Sequence, residues 1–175
     1  MGRAGGRKSE GGERPLVRPT DWNMKIGVLS DTHVHTIEEL SPQILSAFSG
    51  VDLIVHCGDF VGSAVLEGLK RLGEVKAVRG NVDSSKLKSL LPETEQFTFG
   101  GKEIGVIHGW GGPEGMERRV RTAFGDVDVI LYGHSHEAKI QKVGGVLFFN
   151  PGPGRYSYGI LTVDKDVRAE IIKIG

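Results

Sequence analysis

The order of apolar runs along the chain is what most constrains its fold. Short apolar runs at residues 25–30, 51–57 and 75–78 predict buried strands. Between them, residues 37–48 and 64–72 carry apolar side chains at helical spacing, which predicts amphipathic helices. This alternation of strand and helix indicates parallel βαβ units with right-handed crossovers.

The second half of the chain consists mostly of predicted strands. A Gly-Gly pair between residues 94–99 and 102–107 is typical of a β-hairpin. Residues 113–124 have a helical pattern, and residues 127–132 form another apolar strand. The remaining predicted strands are 138–143, 146–149, 159–163 and 167–174. Together with the first half, this pattern predicts an α/β fold in which two facing sheets carry helices on their outer faces.

Residues 1–23 differ in composition from everything that follows. They are rich in glycine and charge and have almost nothing to bury, so we expect a flexible N-terminal arm without chemistry. A chain of 175 residues fits one domain better than two, which places a single domain at residues 24–175.

Charge and cysteine content limit the function classes. The chain has 22 basic and 22 acidic residues, so it lacks a broad positive field, and we expect no strong nucleic-acid binding. Cys57 is the single cysteine, which excludes an internal disulfide and favours a reducing compartment. No apolar run is long enough to cross a membrane and no signal peptide is evident, so we expect a cytoplasmic protein. The sequence leaves a homo-oligomer open.

Polar side chains follow five of the predicted strands at the point where each strand ends. Ligands of open α/β sheets bind at the carboxyl ends of strands. One such residue alone is usually a helix cap or a turn, but five segments at one sheet edge do not arise readily from capping. All six histidines of the chain lie in these segments or adjoin them. The segments hold Asp31, His33 and His35; Asp59, after His56; Asn81 and Asp83; His108; and His134 and His136.

The residue types in these segments favour a metal site. Carboxylate and amide oxygens combined with imidazole nitrogens suit first-row ions such as Mn²⁺, Fe²⁺, Co²⁺, Ni²⁺ or Zn²⁺. The lone Cys57 argues against a structural zinc site, and histidine is a poor ligand for magnesium or calcium. Seven ligands are too many for one tetrahedral ion and suit two octahedral ions that share a carboxylate. The seven candidates are Asp31, His33, Asp59, Asn81, His108, His134 and His136.

These motifs, in this order, resemble the motif set of the calcineurin-like metallophosphoesterase superfamily. The short chain, His-Cys-Gly-Asp at residues 56–59 and Asn-Pro-Gly at residues 150–152 resemble its small prokaryotic phosphodiesterase branch. That branch includes relatives of the phosphoesterase-like subunit of the retromer coat, which has lost several ligands. None of the seven candidates is missing here, which weakens the interpretation as a non-catalytic scaffold.

The resemblance implies a four-layer α/β/β/α sandwich of two mixed sheets flanked by helices. It implies two divalent metal ions, most simply Mn²⁺, and a hydroxide shared by both ions that attacks a small phosphodiester substrate. Asn81, His108, His134 and the bridging Asp59 would then also act in catalysis. Alternatives are a phosphomonoesterase acting on a small phosphorylated metabolite and a retromer-type scaffold module. A nuclease is a third alternative, which the short length and neutral charge disfavour. By the resemblance, one ion would be held by Asp31, His33 and His136, the other by Asn81, His108 and His134, with Asp59 bridging both.

The sequence departs from the family pattern at three positions. Val82 stands where many members have a histidine that protonates the leaving oxygen, which favours diesters with good leaving groups. Trp110 stands where close relatives often have the second histidine of a His-Gly-His motif, so a substrate contact by that histidine is in doubt. Pro153 replaces a serine that usually follows Asn-Pro-Gly. Among the other polar residues, we expect Asp83 to orient the site and His56 to satisfy a structural hydrogen bond, while His35 either lines the site or belongs to an ordinary loop.

Overall fold

The computed structural model describes residues 23–175, so the arm expected at residues 1–23 lies, apart from its last residue, outside the described residues. Within residues 23–175 the chain forms ten strands and four α-helices, with a 3-10 turn at Ile37–Glu39. The strands are β1 (Met24–Leu29), β2 (Leu53–His56), β3 (Val75–Ala77), β4 (Thr94–Phe99), β5 (Lys102–Ile107), β6 (Val129–Leu131), β7 (Lys139–Val143), β8 (Val146–Asn150), β9 (Ser157–Val163) and β10 (Val167–Lys173). The helices are α1 (Pro42–Phe48), α2 (Ser63–Leu72), α3 (Ser85–Leu90) and α4 (Met116–Arg121).

The strands form two mixed sheets of five strands each. The first sheet has the order β10-β9-β1-β2-β3, in which β1, β2 and β3 run parallel and β9 pairs antiparallel with both β1 and β10. The second has the order β4-β5-β6-β8-β7, in which β5, β6 and β8 run parallel and β4 and β7 are antiparallel edges. The predicted parallel βαβ units and the hairpin are therefore confirmed.

The alternation of side chains along each strand decides what its two faces pack against. On β2, Leu53 and Val55 belong to the core between the two sheets, whereas Ile54 packs with residues of α1, α2 and α3 on the outer face. On β6, Val129 lies between the sheets and Ile130 packs with residues of α4. The layers are thus helix, sheet, sheet and helix, which confirms the four-layer α/β/β/α sandwich.

One helix expected from the sequence is interrupted. The single helix predicted at residues 37–48 is wrong, because the chain makes the 3-10 turn first and starts α1 only at Pro42. Proline has no N–H to donate and suits the first turn of a helix. Ser41 caps α1, since its hydroxyl accepts a hydrogen bond from the Gln43 N–H at 3.2 Å.

Two further helices differ from the expectation. The helix predicted at 113–124 is shorter, because Gly115 before α4 has a left-handed backbone with φ of 71°. Helix α3 is absent from the sequence prediction. Leu87 is its one buried residue, so its sequence lacks the periodic apolar face that predicts a helix. Among the described residues, no helix is long and apolar enough to span a membrane.

Candidate metal centre

The seven candidate ligand residues meet at one end of the sandwich, where strands from both sheets end. The first sheet supplies the residues that follow β1, β2 and β3, and the second supplies those that follow β5 and β6. The carboxyl ends of parallel strands share one edge of a sheet, so the sequence order brings these side chains together. They are Asp31 and His33 after β1, Asp59 after β2, Asn81 after β3, His108 after β5, and His134 and His136 after β6.

Asp31 directs one carboxylate oxygen into the centre of this group. Its Oδ2 accepts hydrogen bonds from the Ser30 hydroxyl and from the His134 N–H, the latter at 3.1 Å. Its Oδ1 lies 3.2 Å from His136 Nε2 and 3.9 Å from His33 Nε2. Within residues 23–175, Oδ1 is the buried side-chain oxygen that has no hydrogen-bond partner. A buried carboxylate oxygen of this kind is costly to leave unpaired, and a cation is a suitable partner.

Asp59 lies between histidines of the two sheets. Its Oδ1 accepts a hydrogen bond from the Val82 N–H at 2.9 Å, which fixes the orientation of the carboxylate. Its Oδ2 lies 3.3 Å from His108 Nε2 and 3.7 Å from His33 Nε2. Burial raises the pKa of Asp59, but the hydrogen bonds from His108 and the Val82 N–H and the charges of His108 and His33 together outweigh burial, so this pKa lies below its ordinary value. Asp59 is therefore a carboxylate that faces His33 of the first sheet and His108 of the second.

The tautomers of two histidines follow from the backbone carbonyls beside them. His108 Nδ1 lies 2.8 Å from the Cys57 carbonyl oxygen, and His134 Nε2 lies 3.1 Å from the Gly111 carbonyl oxygen. A carbonyl only accepts, so each of these ring nitrogens carries the proton and donates. When each ring carries that single proton, His108 Nε2 and His134 Nδ1 present lone pairs to the centre.

The two imidazole lone pairs face a third acceptor, the side-chain oxygen of Asn81. The Asn81 Oδ1 atom lies 3.0 Å from His108 Nε2 and 3.1 Å from His134 Nδ1, and the two ring nitrogens are 3.3 Å apart. As long as each ring carries only that single proton, these three acceptors cannot form hydrogen bonds with one another. A cation between them resolves this arrangement, so the donor set fits a metal ion.

His108 has a competing proton partner when no metal is bound. Burial lowers the pKa of His108, but its hydrogen bond to Asp59 and the charges of Asp59 and Asp31 outweigh burial, so the pKa lies above its ordinary value. Metal ligands must be deprotonated, so His108 would have to release this proton from Nε2 to hold a cation. Two overlapping groups of side chains can each hold an ion: Asp31 with His33 and His136, and Asp31 with Asp59 and His108.

Two glycines let side chains approach the backbone of neighbouring ligand loops. A Cβ at Gly133 would overlap the Ser30 hydroxyl and lie 2.7 Å from Asp31 Oδ2. A Cβ at Gly80 would overlap Asp59 Oδ1. Any side chain at either position would displace a candidate ligand.

Asp83 and His56 support the loops that carry the ligands. The Asp83 carboxylate accepts hydrogen bonds from four backbone N–H groups, at residues 59, 60, 61 and 80, over 2.7–3.1 Å. His56 accepts from the Gly58 N–H at 3.1 Å and faces the Thr32 hydroxyl at 3.0 Å. Both residues therefore hold loops in place, as the sequence suggested. His35 is exposed, and its backbone N–H donates to Glu39.

Sequence reasoning did not assign two residues that contact the ligand loops. The Lys88 ammonium on α3 donates to the Asn81 carbonyl oxygen at 2.7 Å. The buried Asn150 amide donates to the Gly133 carbonyl and the Ser135 hydroxyl, and so holds the turn between His134 and His136. The position of Asn150 at the end of a predicted strand could have indicated its role. Lys88 lies on a helix that the sequence did not predict, so no comparable feature pointed to it.

Comparison with known proteins identifies the family. The family model of the calcineurin-like phosphoesterase superfamily domain matches residues 24–166. A Methanocaldococcus jannaschii protein named "Probable metallophosphoesterase" is 40% identical over 133 residues, which cover 74% of this chain and 67% of that protein. A second protein of the same organism, named a phosphodiesterase, is 33% identical and covers 85% of this chain and 99% of its own length. In fold, the chain matches vacuolar protein sorting 29 of Cryptosporidium parvum with a TM-score of 0.69 at 20% identity, over 89% of this chain and 100% of the other. The chain belongs to the calcineurin-like phosphoesterase superfamily.

Proposed function

We propose that this protein is a phosphodiesterase that uses two divalent metal ions, most simply Mn²⁺, to hydrolyse small phosphodiesters. The observation that carries this proposal is the set of unshared acceptors at the centre: Asn81 Oδ1 facing two imidazole lone pairs, and the unpaired Asp31 Oδ1. Ni²⁺, Co²⁺, Fe²⁺ and Zn²⁺ suit the same ligand types. The match to a relative named a phosphodiesterase supports the diester.

The ligands divide into two sets in this proposal. Asp31, His33 and His136 would hold one ion, Asn81, His108 and His134 would hold the other, and Asp59 would be shared by both sets. The position of Asp59 Oδ2, 3.7 Å from His33 and 3.3 Å from His108, supports its bridging role. Asp31 Oδ1 is also 4.0 Å from His108 Nε2, so the two sets are adjacent.

The charge and the exposure of this centre suit an anionic substrate that enters from solvent. Bound metal ions acidify water to give a nucleophile and stabilise negative charge on phosphate oxygens. Two divalent ions carry four positive charges and the carboxylates of Asp31 and Asp59 remove two, so a loaded site attracts a phosphate anion. The side chains of His33 and His136 are 36% and 54% exposed, which leaves the centre open to a substrate from solvent.

Val82 favours a diester over a monoester. Its side chain is 45% exposed next to Asn81 and has no proton to give to a leaving oxygen. A diester with a good leaving group needs less help from a proton donor, because its leaving oxygen tolerates negative charge. The phosphomonoesterase and the scaffold module remain as the outcomes that the following experiment distinguishes.

The test compares hydrolysis of bis-p-nitrophenyl phosphate and p-nitrophenyl phosphate by EDTA-stripped protein, with and without Mn²⁺. We expect hydrolysis that depends on Mn²⁺ and is faster for the diester. Faster hydrolysis of the monoester would indicate a phosphomonoesterase. Absence of turnover with manganese, nickel, cobalt and zinc would overturn the enzymatic proposal in favour of a scaffold module.

A matched pair of variants tests the role of Asp59. We expect Asp59→Asn to lower kcat for the diester by at least ~100-fold, because the shared carboxylate is lost while the Val82 N–H retains an acceptor. Asp126→Asn is the control, since Asp126 is exposed and precedes the opposite end of β6. Near-normal turnover of metal-saturated Asp59→Asn would contradict the two-metal assignment.

A further inference from the structure

A cleft opens beside two of the candidate ligands. It has a volume of about 300 Å³ and is lined by Asn81 and His108 together with Arg79, Lys88, Glu93 and Trp110. This volume is at the lower end of the range for small-molecule sites. A phosphate held at the metal centre would therefore have one of its ester substituents in or next to this cleft.

Trp110 presents an aromatic surface to the cleft. Trp110 is 47% exposed, so a large part of this residue is accessible to a ligand from solvent. Tryptophan offers a broad, rigid contact area at a low cost in conformational entropy. An exposed indole at the entrance to a charged site is a surface on which a flat group can stack.

Hydrogen bonds from Arg119 and His134 hold the loop that carries Trp110 in place. The Arg119 guanidinium donates to the carbonyl oxygens of Trp110 at 2.9 Å and Glu114 at 2.7 Å, and also to that of Gly112. His134 donates to the Gly111 carbonyl in the same loop. Because the loop is fixed before a ligand arrives, little additional ordering is needed for binding.

Charged side chains complete the cleft. The Lys88 ammonium uses one donor on the Asn81 carbonyl and has three N–H groups in all, so donors remain for a ligand. Arg79 donates to the Lys88 carbonyl at 3.1 Å and lies 3.5 Å from the Glu93 carboxylate. The cleft thus combines an aromatic surface with cationic donors and one carboxylate acceptor.

We propose that this cleft binds the nucleoside part of a nucleoside phosphodiester, with the base stacked on Trp110. This inference rests on the proposed function, since it assigns the substrate class of the same centre. A nucleobase is flat and carries both donors and acceptors on its edge, which matches the indole, the Arg79 and Lys88 cations and the Glu93 carboxylate. A purely aliphatic ester has no group to stack on the indole.

The first test measures inhibition of bis-p-nitrophenyl phosphate hydrolysis by AMP and by ribose 5-phosphate, which differ by the base. Stacking on one aromatic side chain strengthens binding by about 5- to 150-fold, so we expect the inhibition constant of AMP to be at least about 5-fold lower than that of ribose 5-phosphate. Trp110→Ala should abolish this difference and Trp110→Phe should retain most of it. Tyr156→Ala is the matched control, because Tyr156 is an aromatic residue with 63% exposure that does not line the cleft.

The second test reads binding without turnover. The sequence has two tryptophans, so a Trp22→Phe variant leaves Trp110 as its single tryptophan. We expect AMP, and not ribose 5-phosphate, to quench its fluorescence in zinc-loaded protein. Quenching without any diester hydrolysis would contradict the proposed enzyme while supporting the cleft. Hydrolysis with equal inhibition by AMP and ribose 5-phosphate, and without quenching, would overturn the nucleoside assignment alone.

Discussion

Backbone strain is concentrated at the residues that form the candidate metal centre. Asp31, His33, Asp59, His134 and His136 all have positive φ values, between 49° and 67°. Each such conformation of a non-glycine residue costs on the order of 1–3 kcal/mol and persists only where surrounding contacts enforce it. These five residues are five of the seven candidate ligands, and Val61, with φ of 82°, is the other non-glycine residue with a positive φ in the described part of the chain. The fold therefore gives up stability to direct the ligand side chains toward one point.

His56 contributes to the enforcement of these conformations. Its ring joins the loop after β1, through the Thr32 hydroxyl, to the loop after β2, through the Gly58 N–H. It also stacks on Phe60, with ring centroids 3.5 Å apart. Burial, reinforced by the positive charge of His108, lowers the pKa of His56 from 6.5 to about 3. The ring is therefore neutral in the folded protein at all but strongly acidic pH.

This pKa predicts a pH dependence of stability that His56→Gln should reduce. Between pH 6.5 and about 3, the unfolded chain binds a proton at His56 and the folded protein does not. The free energy of unfolding therefore carries no penalty from His56 above pH 6.5. As the pH falls below 6.5, the preferential protonation of His56 in the unfolded chain lowers the free energy of unfolding by up to about 1.4 kcal/mol per pH unit. Urea unfolding of EDTA-treated protein at pH 7.5, 6 and 5 measures it. If the free energy of unfolding depended on pH with the same slope in His56→Gln as in the unchanged protein, His56 would not be the source of this pH dependence.

At the scale of elements, Asp83 fastens the loop after β2 to the loop after β3. Its carboxylate accepts four backbone hydrogen bonds and is 4% exposed, and one of these donors is the N–H of Asp59. A carboxylate offers enough acceptor sites for four donors, whereas an amide turns an NH₂ group toward two of them. The loops therefore depend on the charge and the shape of this one side chain.

We expect Asp83→Asn to lower the free energy of unfolding by at least ~2 kcal/mol, because buried N–H groups lose their acceptor. We also expect weaker Mn²⁺ binding, since the strained Asp59 loop loses its support. Urea unfolding and calorimetric Mn²⁺ titration measure the two effects. Asp126→Asn serves as control for the loss of one carboxylate at an exposed position. Unchanged metal affinity in Asp83→Asn would show that the loop needs no such support.

The elements also show what the sequence could predict. The sequence predicts the strands of both sheets, because buried strands need continuous apolar runs. It also predicts the candidate ligands, because these polar residues follow the apolar runs at the strand ends. Helix α3 is not legible, because a six-residue helix with one buried leucine has no periodic pattern. Lys88 was missed for that reason. The role of Arg119 was also hidden, since its partners are backbone carbonyls up to nine residues away.

At the scale of the whole molecule, the candidate centre joins the two sheets. The first sheet supplies Asp31, His33, Asp59 and Asn81, and the second supplies the three remaining histidines. Direct hydrogen bonds cross the same boundary, from the His134 N–H to Asp31 and from His108 to the Cys57 carbonyl. Ions bound here would add links between sheets that otherwise meet through these hydrogen bonds and their shared apolar core.

Metal binding should therefore raise the melting temperature of the domain. An ion at 100 times its Kd adds about 2.7 kcal/mol of stability when it binds only the folded state. For a chain of this size, each kcal/mol corresponds to about 2–4 °C, so we expect an increase of about 5–11 °C for each fully occupied site. Scanning calorimetry of EDTA-stripped protein during Mn²⁺ titration measures the increase, and Asp59→Asn should show a smaller one. Ions that bind the folded state tightly must stabilise it. A constant melting temperature at Mn²⁺ concentrations that support hydrolysis would therefore contradict the idea that the ions hold the two sheets together.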